Sequence, residues 1–465
     1  MKTDFSKKIF LIGAPLVAVI VGYFMLSNGW DIKACCAVGV TIVCAIWWTT
    51  EPIPIPATSL LPLSLFPLFG VLDKDQVALS YGSPLVLLLL GGFILSTSME
   101  RSGAHRRVAL IMINLFGAKS DRRLVFGFMV ASALLSMWIS NTATTLMLLP
   151  IALAILEKAK DNRMVLPLLL GIAHSASVGG IGTPIGTPPN IVFMKFYTEA
   201  TGVELSFTEW MCIGVPVVVV FLPLVAWWLT RKLKGSSNVS LPDMGVWRAE
   251  EKRVLIVFGM TALAWITRKS PFGGWSGFFD LPYANDASVA LLAVVCLFII
   301  PNGKVDENGY SGRLLDWKTA ERIPWGLLVL FGGGIAIAKA FVSTGISQSL
   351  GDALSSVTGL PIILLFLVIC LAVTFLTEIT SNTASTVLLM PILAAAALAA
   401  KMDPALLMVP AAISASCAFM LPVATAPNAI VFGTHKVSIQ QMMKTGIVLN
   451  LIGAVVITSV CYLVL

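Results

Sequence analysis

Apolar residues in this chain come in long runs separated by short polar segments, and most runs have the length of a membrane-spanning helix. A bilayer core of about 30 Å takes about 20 apolar residues in helical form. Runs of suitable length lie near 8–26, 33–50, 56–70, 83–100, 164–195, 209–230, 254–267, 287–302, 326–342, 405–434 and 445–465. Two further stretches, 124–156 and 359–399, are too long for one span, and each is interrupted at its centre by a polar tripeptide. The pattern predicts an all-α integral membrane protein.

Composition agrees. The chain has 465 residues, 57% hydrophobic and 12% charged, and its mean hydropathy is +0.91. A soluble domain carries about 45–50% apolar and about 25% charged residues, so the surplus apolar surface must face lipid. That excludes a soluble enzyme, a nucleic-acid module and a disordered chain. Nor is there an HExxH, a nucleophile elbow or a phosphate loop. The eight cysteines form no CxxC pair and read as small buried hydrophobes. The basic segment Met1–Lys8 precedes an apolar run with no small-residue cleavage site after it, which reads as a retained first span.

The net charge of +7 is distributed unevenly. Six Lys or Arg lie between Arg101 and Arg123, Lys158, Lys160 and Arg163 follow the first interrupted stretch, and a basic loop runs from Arg231 to Arg253. No Lys or Arg occurs between Phe341 and Lys401. By the positive-inside rule the first interrupted stretch enters and leaves on the cytoplasmic side and the second on the external side. With both taken as re-entrant hairpins, eleven crossings remain, the N-terminus inside and the C-terminus outside. Two full spans in each stretch give the same sidedness, so charge alone leaves re-entrance open.

The two interrupted stretches are copies. Ser140-Asn141-Thr142-Ala143-Thr144-Thr145 is matched by Ser381-Asn382-Thr383-Ala384-Ser385-Thr386 at a shift of 241, which also carries Pro150-Ile151 onto Pro391-Ile392 and Gly91-Gly92 onto Gly332-Gly333. Downstream, Gly186-Thr187-Pro188-Pro189-Asn190 is answered by Ala424-Thr425-Ala426-Pro427-Asn428, each preceded by a Ser-Ala-Ser. One Ser-Asn-Thr could be polar glue between helices; two at a constant offset, each with the same downstream signature, indicate duplication. An odd number of crossings separates them, so the copies face opposite ways. The chain divides into an N-terminal helix (1–32), a first inverted repeat (33–253, hairpin 124–156, broken helix 164–195) and a second (254–465, hairpin 359–399, broken helix 405–434). Inverted repeats point to a secondary transporter with its site at the repeat interface near the midplane.

The chemistry of the tips fits that reading. Pro184, Pro188 and Pro189 lack N–H donors and Gly180, Gly182 and Gly186 favour non-helical angles, so this stretch is not continuous helix. Freed carbonyls suit a hard cation such as sodium, and helix N-termini beginning after each tip suit an anion. Neither hairpin holds Arg, Asp or His, and the one acid is Glu378. Without a fixed counter-charge a divalent anion is costly at midplane unless cations bind with it. The pattern favours an anion with cation coupling over a proton relay.

Paired Ser-Asn-Thr tips in inverted repeats, each followed by a TxPN loop, resemble the divalent anion/sodium symporter family, the INDY-type di- and tricarboxylate carriers. The resemblance covers nearly the whole chain. It implies a multi-pass protein of the cell (inner) membrane, homodimeric, each protomer with a scaffold and a moving transport domain working as an elevator. It further implies import of C4-dicarboxylates such as succinate, malate or fumarate coupled to sodium. Sodium-independent exchangers and carriers of other divalent anions such as sulfate share these motifs. Carried over by motif, one sodium site uses Ser136, Ser140, Asn141 and Gly186, and the second Thr377, Thr380, Asn382 and Ala424. Substrate carboxylates meet Ser140, Asn141, Thr142, Thr187, Ser381, Asn382, Thr383 and Thr425. The sequence departs from the pattern at Ala426, where Pro188 leads one to expect proline; the smaller side chain leaves room for citrate.

The remaining features have plainer expectations. The Gly pairs read as close helix contacts, Glu378 as a structural hydrogen-bond acceptor and His174 as a core residue. Lys339 reads as a side chain reaching the outer interface, and Arg101–Arg123 as an interfacial amphipathic helix.

Overall fold

A computed structural model of the protein describes residues 2–116, 120–159, 162–233, 235, 245–269, 273–305, 311–349 and 361–465. Among the described residues the chain is helical apart from one small hairpin, and seven helices are long and apolar enough to cross a membrane. It is a multi-pass membrane fold. Helix α1 (Lys2–Ser27) packs along α2 (Ile32–Thr50). The run 56–70, expected as one span, is broken into two short helices, α3 (Ile55–Thr58) and α4 (Leu61–Leu68). Pro62 in the first turn of the second keeps the two from joining, and Gly70 at a left-handed φ of 64° turns the chain after it. Helices α5 (Lys74–Tyr81) and α6 (Pro84–Ser102) follow, and α7 (Ala104–Phe116) is the amphipathic helix of the basic stretch.

The duplicated part then appears twice. First come α8 (Asp121–Ser136), a four-residue break, α9 (Asn141–Ala159), α10 (Val165–Gly180), an unwound segment, α11 (Pro188–Thr201) and α12 (Phe207–Thr230). Between the copies lie α13 (Ala249–Ile266), α14 (Gly274–Phe278), α15 (Asp286–Ile299), the hairpin β1 (Pro301–Val305)–β2 (Ser311–Arg313), α16 (Trp317–Ala320) and α17 (Trp325–Ser343). The antiparallel hairpin is the one departure from an all-α chain, and it sits in a polar connection where Gly303 takes a left-handed φ of 83°. The second copy is α18 (Ile362–Thr377), a break, α19 (Asn382–Ala399), α20 (Ala405–Ala415), an unwound segment, α21 (Ala426–Phe432) and α22 (Ile439–Val464).

Packing separates the helices into two groups. Helices α8–α12 and α18–α22 lie chiefly against one another, and α2–α6, α13, α15 and α17 form the other set. Between the sets run α7 against α8, α12 against α13, and α17 against α11 and α19. Within the first set the copies exchange partners: α11 packs on α19, and α21 packs on α9. The paired glycines are close contacts, as expected. A Cβ on Gly91 would lie 2.6 Å from Ala290 Cβ on α15, and one on Gly333 would lie 2.8 Å from the Ser59 carbonyl.

The end of α7 is tied to α13 by buried charge. Arg107 Nε donates to Glu251 Oε2 at 2.9 Å, and its other nitrogens donate to the Gly245 and Val246 carbonyls. Only 7% and 4% of the two side chains is exposed. Removing one partner strands the other charge, at a cost of about 3–5 kcal/mol. Glu251→Ala is therefore expected to lower the melting temperature of the purified protein clearly, whereas Lys304→Ala, at an exposed side chain, is expected to leave it near the wild-type value.

Candidate functional site

Both tripeptides begin a helix, and in each the asparagine side chain is held by a hydroxyl from the end of the preceding helix. Ser136 Oγ donates to Asn141 Oδ1 at 2.5 Å, and Thr377 Oγ1 donates to Asn382 Oδ1 at 2.7 Å. One turn on, Thr145 and Thr386 hydroxyls donate to the Asn141 and Asn382 carbonyls at 2.8 and 2.6 Å. The copies thus share local bonding as well as sequence.

The unwound segments are fixed by the last residue of each TxPN signature. Asn190 Nδ2 donates to the carbonyls of Gly180 at 2.9 Å and Thr183 at 2.7 Å, and Asn428 Nδ2 to those of Ala418 and Leu421 at 3.1 Å each. In the first copy Thr183 Oγ1 also donates to the Met137 carbonyl at the hairpin tip, and Trp210 Nε1 to the Ile181 carbonyl. Pro188 and Ala426 open equivalent helices with different consequences. The Thr425 hydroxyl caps α21 by accepting from Asn428 N at 3.3 Å, whereas Thr187 makes no such cap and instead accepts from Ser416 Oγ of the other copy at 3.5 Å.

Oxygen atoms converge at the first tip. A point one Cβ bond from Gly180 lies 2.9 Å from Asn141 Oδ1 and 3.0 Å from the Gly186 carbonyl oxygen. Asn190 Oδ1 and Asn428 Oδ1 are buried without a protein partner, as are the hydroxyls of Ser175, Ser177 and Ser414. Neutral oxygens from side chains and unwound backbone make a donor set for a hard alkali cation. Among the described residues no group of three His, Cys, Asp or Glu stands close enough to hold a metal.

All eight residues expected to meet carboxylates line one cavity of about 830 Å³: Ser140, Asn141, Thr142 and Thr187 from one copy, Ser381, Asn382, Thr383 and Thr425 from the other. Of the expected sodium ligands, Gly186, Thr380 and Ala424 line it too. Ser136 and Thr377 stand behind it, fully buried, and reach it through the two asparagines. The Thr380 hydroxyl is taken up by Ser385 and the Leu376 carbonyl. The charged lining residues are Glu51, Glu100 and Arg322, all exposed; the end formed by the tips is neutral. Sequence reasoning did not assign Asn190, Asn428, Thr183 or Ser416. The two asparagines carried a signal, since both belong to the repeated signature, as did Ser416, the last residue of the repeated Ser-Ala-Ser; Thr183 carried none.

The residues from 5 to 464 match the family described as the sodium:sulfate symporter transmembrane region. This chain belongs to that family. The sodium-dependent dicarboxylate transporter SdcS of Staphylococcus saprophyticus is 42% identical to this family member over 97% of its chain and 90% of its own length. SdcS of Staphylococcus aureus is 40% identical over 98% of this chain and 90% of its own. Among solved structures the YdaH transporter of Alcanivorax borkumensis shares the fold, with a TM-score of 0.59 at 16% identity, covering 84% of this symporter-family chain and 87% of the other.

The plainer expectations are met in part. Glu378 is a buried hydrogen-bond acceptor, and His174 is a core residue packed edge-on against Phe419 at 5.0 Å, though neither ring nitrogen has a partner. Lys339 Nζ donates to the Gln76 carbonyl at 3.4 Å, and the side chain lines a cleft with Glu199. Five cysteines are buried and all eight are free, but Cys212 is exposed.

Proposed function

We propose that this protein is a secondary active carrier, not an enzyme, that imports C4-dicarboxylates such as succinate, malate and fumarate together with sodium ions. The observation that carries the reading is that both asparagine tips line one cavity and that the tip residues themselves are neutral. A doubly charged anion held at the tips finds dipoles and hydroxyls but no cation among the tip residues; the cavity's one cationic side chain, Arg322, is exposed. At roughly 4 Å and intermediate dielectric each opposite charge pair is worth about 4 kcal/mol, so co-bound sodium supplies what the side chains lack. That is a physical basis for coupling: the anion binds well only when the cations are present. The names of the staphylococcal relatives support sodium and dicarboxylate together.

The carrier roles follow the motif. Ser136, Ser140, Asn141 and Gly186 hold one sodium, and Thr377, Thr380, Asn382 and Ala424 the other. Ser140, Asn141, Thr142, Thr187, Ser381, Asn382, Thr383 and Thr425 bind carboxylate oxygens. Eleven crossings with two re-entrant hairpins, the repeats at 33–253 and 254–465 after the N-terminal helix, and a homodimer in the cell's inner membrane complete the proposal. In that topology Glu51, Glu100 and Arg322 lie on the cytoplasmic side, and the cavity is open inward. The division of helices into two packed sets supports an elevator, with α8–α12 and α18–α22 as the moving body.

The test is uptake of labelled succinate by proteoliposomes with and without a sodium gradient, in competition with sulfate, citrate and tartrate. Symport predicts uptake that collapses when sodium is replaced by choline. Sodium-independent uptake that requires an internal carboxylate would make the protein an exchanger, and stronger competition by sulfate than by malate would reassign the substrate.

A further inference from the structure

We propose that Glu378 is a positioning residue that holds the second broken helix open, so that the second sodium site, but not the first, depends on a buried carboxylate. The assignment rests on the site reading above and deepens it. Glu378 is 3% exposed. Its Oε1 accepts from Phe419 N at 2.8 Å, Met420 N at 2.9 Å and Asn450 Nδ2 at 2.7 Å, and its Oε2 accepts from Leu421 N at 2.9 Å. Three consecutive backbone donors are thus turned onto one side chain.

Those three N–H groups are the ones that would prolong α20. In a continued helix Phe419 N would bond the Ala415 carbonyl, four residues back. Because Glu378, with Asn450 Oδ1 at 3.2 Å, takes that donor, the Ala415 carbonyl is left to share the one Thr377 hydroxyl proton, at 3.1 Å, with Asn382 Oδ1 at 2.7 Å. One carboxylate therefore links the unwinding of the loop to the aim of the asparagine at the second tip.

The first copy achieves its break by other means. The segment between α10 and α11, Ile181-Gly182-Thr183-Pro184-Ile185-Gly186-Thr187, contains two glycines and a proline. Between α20 and α21 the sequence is Ser416-Cys417-Ala418-Phe419-Met420-Leu421-Pro422-Val423-Ala424-Thr425, with no glycine and four good or neutral helix formers in a row from Ala418 to Leu421. Left alone it would coil further before Pro422. The residue equivalent to Glu378 at the constant shift is Met137, whose backbone carbonyl, not its side chain, holds the first loop through Thr183.

The experiment measures labelled succinate uptake by proteoliposomes across a sodium series for wild type, Glu378→Gln and Glu378→Asp, each first shown to be monodisperse by size exclusion. Gln keeps the volume but turns an N–H donor toward Leu421 N, leaving a buried donor unmatched. The expected result is a rise of about tenfold in half-saturating sodium, with the maximal rate at high sodium within about threefold of wild type. Asp, which keeps both acceptor oxygens on a shorter arm, is expected to show a smaller rise, and it decides the matter if the Gln variant does not fold. A sodium-dependent wild type beside variants whose curves superimpose on it after scaling to maximal rate would mean a scaffolding role only, and would overturn this assignment while leaving the proposed function intact. A wild type indifferent to sodium would overturn both.

Discussion

Asn141→Ala and Asn382→Ala are each expected to reduce sodium-driven succinate uptake by about two orders of magnitude or more while leaving a folded, membrane-inserted protein. Each amide oxygen faces the cavity from the start of a helix and is held by one hydroxyl behind it, Ser136 Oγ at 2.5 Å or Thr377 Oγ1 at 2.7 Å. Truncation removes an oxygen aimed at a cation, and at the first tip it also leaves the buried Ser136 hydroxyl without its acceptor, whereas Thr377 keeps the Ala415 carbonyl. A polar contact to a charged group is worth about 1.5–3 kcal/mol, and its loss reaches transport through ion binding. Neither asparagine is needed for helix packing, since both are only partly buried. Near-normal uptake by either variant would contradict the assignment of the tips.

Gly186→Ala is expected to be as damaging, for a different reason. A Cβ there would collide with the Gly180 carbonyl oxygen and lie 2.9 Å from Gly180 Cα and 3.0 Å from its carbonyl carbon. These are backbone atoms and cannot swing aside. The two strands of the unwound segment would have to part, carrying the Gly186 carbonyl away from Asn141 Oδ1. Gly202→Ala, by contrast, meets nothing within 4 Å but must adopt a φ of 73°. It is expected to cost about 1 kcal/mol of stability and to leave uptake at saturating sodium unchanged. Comparing the two variants separates a close approach at the site from ordinary backbone strain.

How far the sequence foretold this arrangement depends on the kind of signal. Polar Ser-Asn-Thr tripeptides inside apolar stretches are conspicuous because lipid makes them expensive, and the constant shift between copies exposes their kinship. The breaks at 137–140 and 378–381 follow directly. The break inside the run at 56–70 was not legible because hydropathy alone does not weigh prolines, and Pro62 interrupts the helix there. The β1–β2 hairpin was invisible for a related reason: it lies in a polar connection where the spacing of apolar residues carries no information. Long-range partners were out of reach altogether. Nothing in the spacing of Ser416 and Thr187, 229 positions apart, announces that they meet, nor that Glu378 serves residues 41 to 43 positions on.

The exchange of partners between copies, with α11 lying on α19 and α21 on α9, has a consequence for origins. Each copy holds its own asparagine, but neither lines the cavity alone, so a half-length chain would own a complete binding site only as a pair. Within one chain the pair is tethered and its members need not stay alike: one breaks its helix at glycines and a proline, the other beside a buried carboxylate.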